Sequence, residues 1–330
     1  MSNEMTVTEG TAQGSVLGPL LYLAYVNDME HVINHCSIYQ YADDTCLIAS
    51  DKNINTAAQQ LQEDFTRILM WSHDAGLVIN VKKTKIVHVH SSHLKNFNNF
   101  KITAHNHVCL HKATYYNPDC SCECVDQVPY YTYLGLIVDN RFNWNHHINY
   151  VCDKLRAILS KFYIIRNKIP YKILLSIYRS LAESIIQYGI TSYGRTFNTY
   201  IDRITNLQLR LIKKIVPINI KNKFKDKPLE LFSYCNVLPI RQMFQKFFLI
   251  EQFHKINFQN PISHQFATRQ ITNNKLIIPK VHNFYGKRTA NFLLPTILNS
   301  MPQKVKKDVN IKNYKIIYKR YFHELIKTIK

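Results

Sequence analysis

Two kinds of hydrophobic periodicity divide the chain near residue 140. Before that point, short apolar runs alternate with polar turns, which is typical of β-strands, and a long helical stripe lies at 58–72. After it, apolar residues recur at every third or fourth position in three stripes, at 148–169, 174–188 and 201–215. Short links between these stripes predict three antiparallel helices. The predicted fold class is therefore α+β.

Two helices are expected in the first part of the chain. Pro19 is tolerated in a first helical turn, so the segment 20–26 suits a helix, and it is expected to lie in the core. The stripe at 58–72 places its apolar residues on one face, which predicts packing against a sheet. Gly76 stands where the C-terminal cap of that helix is expected.

Two adjacent carboxylates lie between apolar runs, in the sequence Tyr41-Ala42-Asp43-Asp44. The pattern predicts a tight β-hairpin whose turn takes the Asp pair. Neighbouring carboxylates repel each other unless a cation neutralises them, and Mg²⁺ is a hard ion that prefers oxygen ligands. In two-metal phosphoryl-transfer sites, such ions stabilise both the attacking and the leaving oxygen. The alternative is a pair of solvated loop residues.

Charge is distributed unevenly along the chain. Residues 1–150 carry 9 Lys and Arg against 14 Asp and Glu, a net charge of −5, whereas residues 151–330 carry 33 against 8, a net charge of +25. This asymmetry is typical of an acidic, metal-using part joined to a part that binds a polyanion. Binding to a phosphate backbone would then weaken steeply as salt rises. The alternative is a basic surface that keeps the chain soluble.

The composition limits the remaining classes. The longest apolar run, at 16–26, is shorter than the roughly 20 residues of a membrane span, and the first ten residues lack the features of a secretory signal. Eight cysteines in 330 residues are ordinary for an intracellular chain with reduced thiols. We therefore expect an intracellular protein of the nucleus or cytoplasm that is neither secreted nor held in a membrane. The sequence identifies no protein partner.

Four sequence blocks, in order, carry a family resemblance. They read QGSVLGPLL at 13–21, YADD at 41–44, GLVINVKKTK at 76–85 and YLG at 133–135. Together they resemble the second half of the reverse transcriptase of non-LTR (LINE-like) retrotransposons, of the jockey and RTE kind. The resemblance is strong to about residue 150 and looser after it. One mild departure is Ala12, where the family usually has proline.

The resemblance implies an RNA-directed DNA polymerase with an RNA template, a DNA primer and dNTPs as partners. Asp43 and Asp44 would hold two Mg²⁺ ions while the primer 3′-hydroxyl attacks the α-phosphate of a dNTP. Residues 1–140 would form a partial palm (an antiparallel sheet with helices). The palm would be followed by a thumb-like helical bundle at 141–216 and a basic helical C-terminal extension at 217–330.

The resemblance also assigns the other site residues. The pocket for the nucleotide and the template base would be formed by Gln13, Gly14, Ser15, Tyr41 and Ala42. Lys83 would lie near the pyrophosphate leaving group as a general acid, although Lys82 and Lys85 are close enough to leave that assignment open. The primer 3′ end would be gripped by Tyr133, Leu134 and Gly135. For Lys83 the alternative is a solvated basic strand end. For the segment 133–135 the alternative is a plain edge strand.

The polar faces of the three helices predicted after residue 140 are basic. Their apolar stripes form the core, so the basic faces are expected to follow a template–primer duplex. The residues expected to bind nucleic acid are Lys154, Arg156, Lys161, Arg166, Lys168, Arg210, Lys213 and Lys214.

Parts of the family pattern are missing upstream of residue 13. There the family carries the fingers and a palm strand with the first catalytic aspartate, whereas residues 1–9 contain no aspartate. We therefore expect an N-terminally truncated fragment without polymerase activity of its own. Two alternatives remain. One is a non-catalytic nucleic-acid-binding protein that uses the basic part, and the other is a decayed transposon remnant that folds poorly.

Residues 91–128 are rich in Asn, His and Cys and are expected to form an irregular loop or hairpin insert. The alternative is a zinc site drawn from Cys120, Cys122, Cys124, His105, His107 and His111. The one-residue gaps between the cysteines argue against zinc, because structural zinc pairs normally have two to four intervening residues. On a strand, moreover, alternate side chains point apart. A loop or hairpin is therefore the preferred interpretation.

Overall fold

The computed structural model describes residues 14–91, 100–106, 109, 120–255, 276–309 and 312–326. The chain divides into two compact units, Met1–Phe142 and Asn143–Lys330. The first mixes short strands with helices, and the second is helical among the described residues. This mixture of helix and strand agrees with the α+β prediction.

Among its described residues, the first unit contains the α-helices α1 at Gly18–Val26 and α2 at Ile54–Asp74, with a 3₁₀ turn at Asn27–Val32 after α1. Gly76 ends α2 as predicted, with a φ of +67° in the left-handed region. Its N–H donates to the His73 carbonyl at 3.0 Å, and the next N–H, of Leu77, donates to Ser72 at 2.7 Å. This pair of bonds is the Schellman motif, in which glycine avoids the penalty of a Cβ atom.

The expectation that 20–26 lies in the core is wrong for most of α1. Leu20, Leu21 and Leu23 are between 52% and 64% exposed. Val26 alone among the helix residues is buried, and its carbonyl accepts a hydrogen bond from Gln40 Nε2 at 3.5 Å. Because α1 is apolar all round, its sequence pattern cannot show which face is covered.

The strands of the first unit pair two by two. Antiparallel hairpins are formed by β1 (Ser37–Tyr41) with β2 (Asp44–Ile48), by β4 (Thr103–Ala104) with β5 (Glu123–Cys124), and by β7 (Tyr130–Tyr133) with β8 (Leu136–Asp139). A parallel pair is formed by β3 (Lys85–Ile86) and β6 (Asp126–Gln127). Among the described residues, these strands therefore make four two-stranded sheets and not one continuous sheet.

Helix α2 and the insert share the hydrophobic core of the first unit. Phe65 and Leu69 of α2 pack with Ile102, Ala104 and Val125, and each of these residues is at most 9% exposed. The last three belong to 91–128, where the β4–β5 pair agrees with the hairpin interpretation. The insert is therefore part of the core of this unit.

The second unit is built on two long helices, α3 at Asn145–Ile165 and α7 at Asn198–Ile215, which pack against each other. They confirm the helices predicted at 148–169 and 201–215, except that the first ends at Ile165, four residues before the predicted end. The remaining elements are α4 (Tyr171–Tyr178), a π-helical turn (Arg179–Glu183), α5 (Ser184–Gln187), α6 (Ile190–Tyr193), α8 (Ile218–Lys223), α9 (Glu230–Tyr234), α10 (Ile240–Gln252), a 3₁₀ turn (Phe253–Lys255), α11 (Phe284–Lys287), α12 (Ala290–Ser300), α13 (Gln303–Asp308) and α14 (Tyr314–Ile326). None of the helices in the described ranges has the length and apolar character needed to cross a membrane.

The predicted stripe at 174–188 changes phase in the structure. Leu174 and Tyr178 are buried as predicted, but Leu181, the next apolar position of the predicted stripe, is 48% exposed. Ala182 and Ile186 are fully buried instead. The cause is the π-helical turn Arg179–Glu183, which adds one residue to the helical path. The residues after this turn are rotated, so the buried position moves from Leu181 to its neighbour.

One buried amide joins helices on both sides of residue 217. Gln208 of α7 is fully buried, and its Nε2 donates to the Tyr178 hydroxyl at 3.1 Å and to the Leu238 carbonyl at 3.3 Å. Its Oε1 accepts the N–H of Ile240 at 3.0 Å. Because a buried amide is costly unless it is hydrogen-bonded, these contacts fix α4, α7 and the start of α10 together.

His147 is a buried titratable group in the second unit. It is 2% exposed near the start of α3, and its ring lies 4.9 Å from that of Tyr193 and 6.1 Å from that of Trp144. Burial lowers the pKa of His147 to about 4, whereas an imidazole in an unfolded chain titrates near about 6.5. The folded state therefore keeps this ring neutral at pH values where the unfolded chain is protonated.

We predict that the free energy of unfolding of the second unit falls as the pH drops from about 6.5 to about 4, by at most about 1.4 kcal/mol per pH unit for this group. His147→Gln should remove most of this pH dependence, because the folded and unfolded states then bind equal numbers of protons at that position. His146→Gln, at the exposed neighbour, should retain it. Urea unfolding followed by circular dichroism across this pH range provides the measurement, and an unchanged pH slope in His147→Gln would contradict the assignment.

Candidate functional site

The adjacent carboxylates lie at the tip of the β1–β2 hairpin. Tyr41 pairs directly with Asp44, so the two-residue turn consists of Ala42 and Asp43. The prediction of a tight hairpin is confirmed, but the turn takes one aspartate and not two, because Asp44 already belongs to β2. Ala42 has a φ of +51°, a region disfavoured for residues with a Cβ atom. Both carboxylates are exposed.

A buried carboxylate fixes the chain where it enters this hairpin. Asp64 of α2 is fully buried and accepts hydrogen bonds from three consecutive backbone N–H groups, those of Asn34, His35 and Cys36, at 3.0, 2.8 and 2.7 Å. Nη1 of Arg67 donates to the same carboxylate at 2.7 Å. Burial by itself raises the pKa of Asp64, but the hydrogen bonds from the three backbone N–H groups outweigh it and hold the pKa below its usual value. Asp64 is therefore ionised, and it positions the start of β1.

The sequence contains a signal for Asp64 that the pattern analysis missed. Asp64 lies three residues after Leu61 and four before Ile68, so helical spacing places it on the apolar face of α2. Acidic residues are almost never fully buried unless they are paired. An aspartate on an apolar stripe therefore indicates a buried partner, although the sequence does not say which segment supplies it.

Strand β7 connects two of the predicted site segments. The Tyr131 hydroxyl donates to the carbonyl oxygen of Lys83 at 3.0 Å. Two residues further on, burial raises the pKa of Tyr133, and the neighbouring Cys46 and Asp44 raise it further. One side of β7 is therefore close both to the lysine-bearing turn and to the acidic hairpin.

The predicted primer grip is the tip of the β7–β8 hairpin. Tyr133 pairs with Leu136, and Leu134 and Gly135 form the two-residue turn between them. These two turn residues have φ values of +46° and +75°. Positive φ at both central positions is the requirement of a type I′ turn, which explains glycine at the second of them.

The candidate general acid lies in a turn that is held by Asn80. The N–H of Lys83 donates to Oδ1 of Asn80 at 3.1 Å, and the hydroxyl of Thr84 donates to the Asn80 carbonyl at 2.9 Å. Lys82 and Lys83 are exposed. Lys85, by contrast, forms an ion pair with Asp126 at 2.6 Å between β3 and β6. The ion pair gives Lys85 a structural role and leaves the other two as the exposed candidates.

The predicted nucleotide pocket is described in part. Gln13 lies outside the described residues, and Gly14 has a φ of +85°. Oγ of Ser15 accepts the N–H of Gly18 at 3.0 Å, which fixes the start of α1. Tyr22 of α1 was not predicted as a site residue, yet burial raises its pKa and the charge of Asp43 raises it further. Helix α1 therefore lies close to the acidic tip.

Asp43 and Asp44 offer the oxygen ligands that Mg²⁺ prefers, so the residues present suit that ion. Two carboxylates provide four oxygen atoms, and both side chains are exposed to solvent. No third carboxylate joins them in a cluster within the described ranges. The one group of three or more potential metal ligands found there consists of other residues, His105, Cys109, Cys120 and Cys122.

Two of the predicted basic residues lie beside the ring of one tyrosine of the second unit, and a third acts on its hydroxyl through its charge. Tyr163 of α3 is 55% exposed, Nζ of Lys214 lies 3.7 Å from its ring centroid, and the guanidinium carbon of Arg166 lies 5.3 Å from it. The hydrogen bond and charge of Lys214, followed by the charges of Arg166 and Arg210, lower the pKa of Tyr163. These four residues are called the Tyr163 cluster below.

The other predicted basic residues have different surroundings. Nζ of Lys154 lies 4.6 Å from the ring centroid of Tyr150, and Arg156 forms an ion pair with Asp153. Lys161 and Lys168 are exposed, whereas Lys213 is half-buried. The structure therefore brings a subset of the predicted residues together and does not arrange all eight as one surface.

Residues 2–138 match the family described as reverse transcriptase (RNA-dependent DNA polymerase). The acidic hairpin, the lysine-bearing turn and the β7–β8 hairpin all lie in this range. Residues 2–138 are therefore similar to the reverse transcriptase family, and the resemblance to non-LTR retrotransposon proteins is confirmed.

The relatives of the chain are mobile-element polymerases from fruit flies. It is 27% identical over 224 residues to a probable RNA-directed DNA polymerase from transposon X-element of Drosophila melanogaster, covering 65% of this chain and 22% of that protein. It is 26% identical over 226 residues to the RNA-directed DNA polymerase from mobile element jockey of the same species, covering 63% and 22%. The chain thus spans about a fifth of the length of these curated relatives. No solved structure matches it.

We predict that Asp64→Ala destabilises the first unit by about 2–4 kcal/mol, because three part-buried N–H groups lose their acceptor. Hydrogen exchange of the amides at 34–36 and in the β1–β2 hairpin should accelerate. Since folding lowers the pKa of Asp64, its stabilisation is complete above the unfolded value of about 3.9 and is lost as the pH falls through the folded value.

Asp74→Asn is the matched control for this prediction, because that carboxylate belongs to the same helix and its side chain is 81% exposed. The control should leave exchange in the hairpin unchanged. Equal exchange rates in Asp64→Ala and in the unsubstituted protein would contradict the positioning role of Asp64.

Proposed function

We propose that this chain contributes the metal-binding and primer-gripping part of an RNA-directed DNA polymerase, with the first unit as part of a palm and α3 to α7 as thumb-like helices. The observation that carries the proposal is the acidic tip, where Asp43 and Asp44 are adjacent and exposed at the end of a tight hairpin. The family match of residues 2–138 supports the same reaction class. An RNA template, a DNA primer and dNTPs are the corresponding partners.

The proposed chemistry is nucleotide transfer to a primer. The primer 3′-hydroxyl gives its proton to solvent water, and its oxygen forms a bond to the α-phosphorus of a dNTP. The bond between that phosphorus and the oxygen that bridges to the β-phosphate breaks, and pyrophosphate leaves. Two Mg²⁺ ions, when bound, would stabilise charge on the attacking and leaving oxygens. Asp43 and Asp44 would hold the ions, and Lys83 would donate a proton to the pyrophosphate.

The other site residues would position the substrates. Tyr133, Leu134 and Gly135 would hold the primer end at the β7–β8 turn. Gln13, Gly14 and Ser15, together with Tyr41 and Ala42, would form the nucleotide and template pocket. The type I′ turn supports the first role because it presents a rigid backbone tip. The start of α1, fixed by Ser15, supports the second.

The described carboxylates are too few for efficient catalysis by this chain alone. Phosphoryl transfer depends almost entirely on positioning and charge stabilisation. Asp43 and Asp44 stand without a third clustered carboxylate among the residues that the structure describes. The proposal therefore combines metal binding at the acidic tip with an absence of primer extension by the 330-residue chain.

Iron-directed cleavage tests the proposed metal site. Fe²⁺ in place of Mg²⁺, with ascorbate and peroxide, cuts the backbone near the ion when an RNA–DNA primer–template and a dNTP are present. We expect cuts at 41–44 and 131–135 that excess Mg²⁺ suppresses, and no primer extension by the same sample. Asp43→Asn combined with Asp44→Asn should remove these cuts.

Asp51→Asn, an exposed carboxylate just after the same hairpin, is the matched control and should retain the cuts. Absence of cleavage at both segments, or equal cleavage in the double variant, would overturn the proposed metal site. Mg²⁺-dependent and Asp43-dependent primer extension by the 330-residue chain would overturn the proposed inactivity.

The Tyr163 cluster favours a second candidate function, non-catalytic binding of nucleic acid. Lys214 and Arg166 lie beside an exposed aromatic ring, and such a combination binds phosphates and stacks on bases. The charge of Arg210 also acts on the Tyr163 hydroxyl by lowering its pKa. The part of the chain after residue 150 carries a net charge of +25. This function requires neither Asp43 nor Asp44.

We predict that an RNA–DNA duplex binds the chain with an affinity that falls linearly with salt on logarithmic axes. Replacing Arg166, Arg210 and Lys214 by Gln should lower that slope by up to about 3, because as many as three phosphate contacts are lost. The control triple, Lys221→Gln with Lys223→Gln and Lys225→Gln, removes the same charge from exposed positions in and after α8. Fluorescence anisotropy is the measurement, and equal slopes for the two triples would contradict a specific role for the cluster.

A further inference from the structure

Four metal-ligand side chains of the insert meet in the first unit. The potential ligand atoms of His105, Cys109, Cys120 and Cys122 all lie within 4.8 Å of one another. Nδ1 of His105 is 3.4 Å from Sγ of Cys109 and 3.6 Å from Sγ of Cys120. We propose that these four residues bind one structural Zn²⁺ ion. The proposal does not depend on the polymerase function.

The distances between the ligand atoms match tetrahedral zinc. With Zn–S bonds of about 2.3 Å and Zn–N bonds of about 2.0–2.1 Å, tetrahedral angles place nitrogen and sulfur about 3.6 Å apart and two sulfurs about 3.8 Å apart. The two observed N–S distances are within about 0.2 Å of this value. Three cysteines and one histidine form a closed structural set that leaves no position for a substrate.

Cysteines separated by one residue would point to opposite sides if they lay on the same strand, but the backbone here is different. Cys122 directly precedes β5 and Cys120 lies outside the strand, so strand alternation does not separate their side chains. Ala104 pairs with Glu123 in the antiparallel β4–β5 register, which places His105 opposite Cys122. Cys124, inside β5 and exposed, is not in the cluster, and Cys109 takes its place. His107 and His111 lie outside the described residues.

Neighbouring groups support the sulfur ligands. The N–H of Asn106 donates to Sγ of Cys122 at 3.5 Å, and Oδ1 of Asn106 accepts the N–H of Cys109 at 2.9 Å. Outer hydrogen bonds of this kind orient metal ligands, and a bound cation stabilises the thiolates that would otherwise repel one another.

The position of the ion indicates what it stabilises. It would join His105 and Cys109 to Cys120 and Cys122 across residues 110–119, directly beside the β4–β5 pair. That pair supplies Ala104 and borders on Ile102 and Val125, three of the five buried residues in the core of the first unit. Closing a loop with a metal removes conformational freedom from the unfolded chain. Zinc would therefore hold the insert against α2.

The first measurement is the metal content of the 330-residue chain purified under reducing conditions without chelator. We expect about one zinc per chain by mass spectrometry of the elements, and a Co²⁺-loaded form with the visible absorption of a tetrahedral thiolate site. Cys120→Ser combined with Cys122→Ser should lower the zinc content at least about tenfold. Cys124→Ser, two residues from Cys122, is the matched control and should keep the full zinc content.

X-ray absorption at the zinc edge of the unsubstituted protein serves as a second readout if the double variant does not fold. Three sulfur ligands and one nitrogen ligand are the expected result. Zinc absent from the protein after exposure to Zn²⁺, zinc bound by other atoms, or equal zinc content in the double variant and the Cys124→Ser control would overturn the proposal. The described cysteines are free thiols, as zinc binding requires. A disulfide among the four residues that persists under reducing conditions would therefore also overturn the zinc proposal.

Discussion

The first unit depends on the buried carboxylate of Asp64. An ionised carboxylate in a protein interior costs several kcal/mol unless hydrogen bonds and charge compensate it. Here three consecutive backbone N–H groups and Arg67 provide that compensation. The next residue of α2, Phe65, packs into the hydrophobic core. A single turn of α2 therefore fixes both the entry to the acidic hairpin and the packing of the insert.

The candidate site is positioned by individual side-chain hydrogen bonds and not by one continuous sheet. The strands pair only two by two in the described residues, so the hairpins do not share a common ladder of hydrogen bonds. Gln62 of α2 instead bonds both backbone groups of Thr103, at 2.7 and 3.0 Å. The Tyr131 hydroxyl ties β7 to the carbonyl of Lys83. These few side chains hold together segments that lie far apart in sequence.

The sequence predicted features that depend on local chemistry. The cap at Gly76, the helices α3 and α7 and the tight hairpin at the Asp pair follow from backbone geometry and periodicity, and the motif order identified the family. The exposure of α1 could not be predicted, because an all-apolar helix has no polar face to orient it. The phase of the buried face beyond Tyr178 depends on a π-helical turn that periodicity does not reveal. The cluster at His105 depends on tertiary structure, which brings Cys109 together with Cys120 and Cys122, at least 11 residues further along the chain.

The insert also sets the order in which the first unit can form during translation. Three of the five buried core residues, Ile102, Ala104 and Val125, follow α2 in the chain, the last of them by 51 residues after Asp74. At an elongation rate of about 5–20 residues per second, a ribosome takes roughly 3–10 s to add them. During this interval the part of the apolar face of α2 that packs on these three residues stays uncovered. A nascent chain that ends before Val125 therefore exposes a surface for chaperones or for other nascent chains.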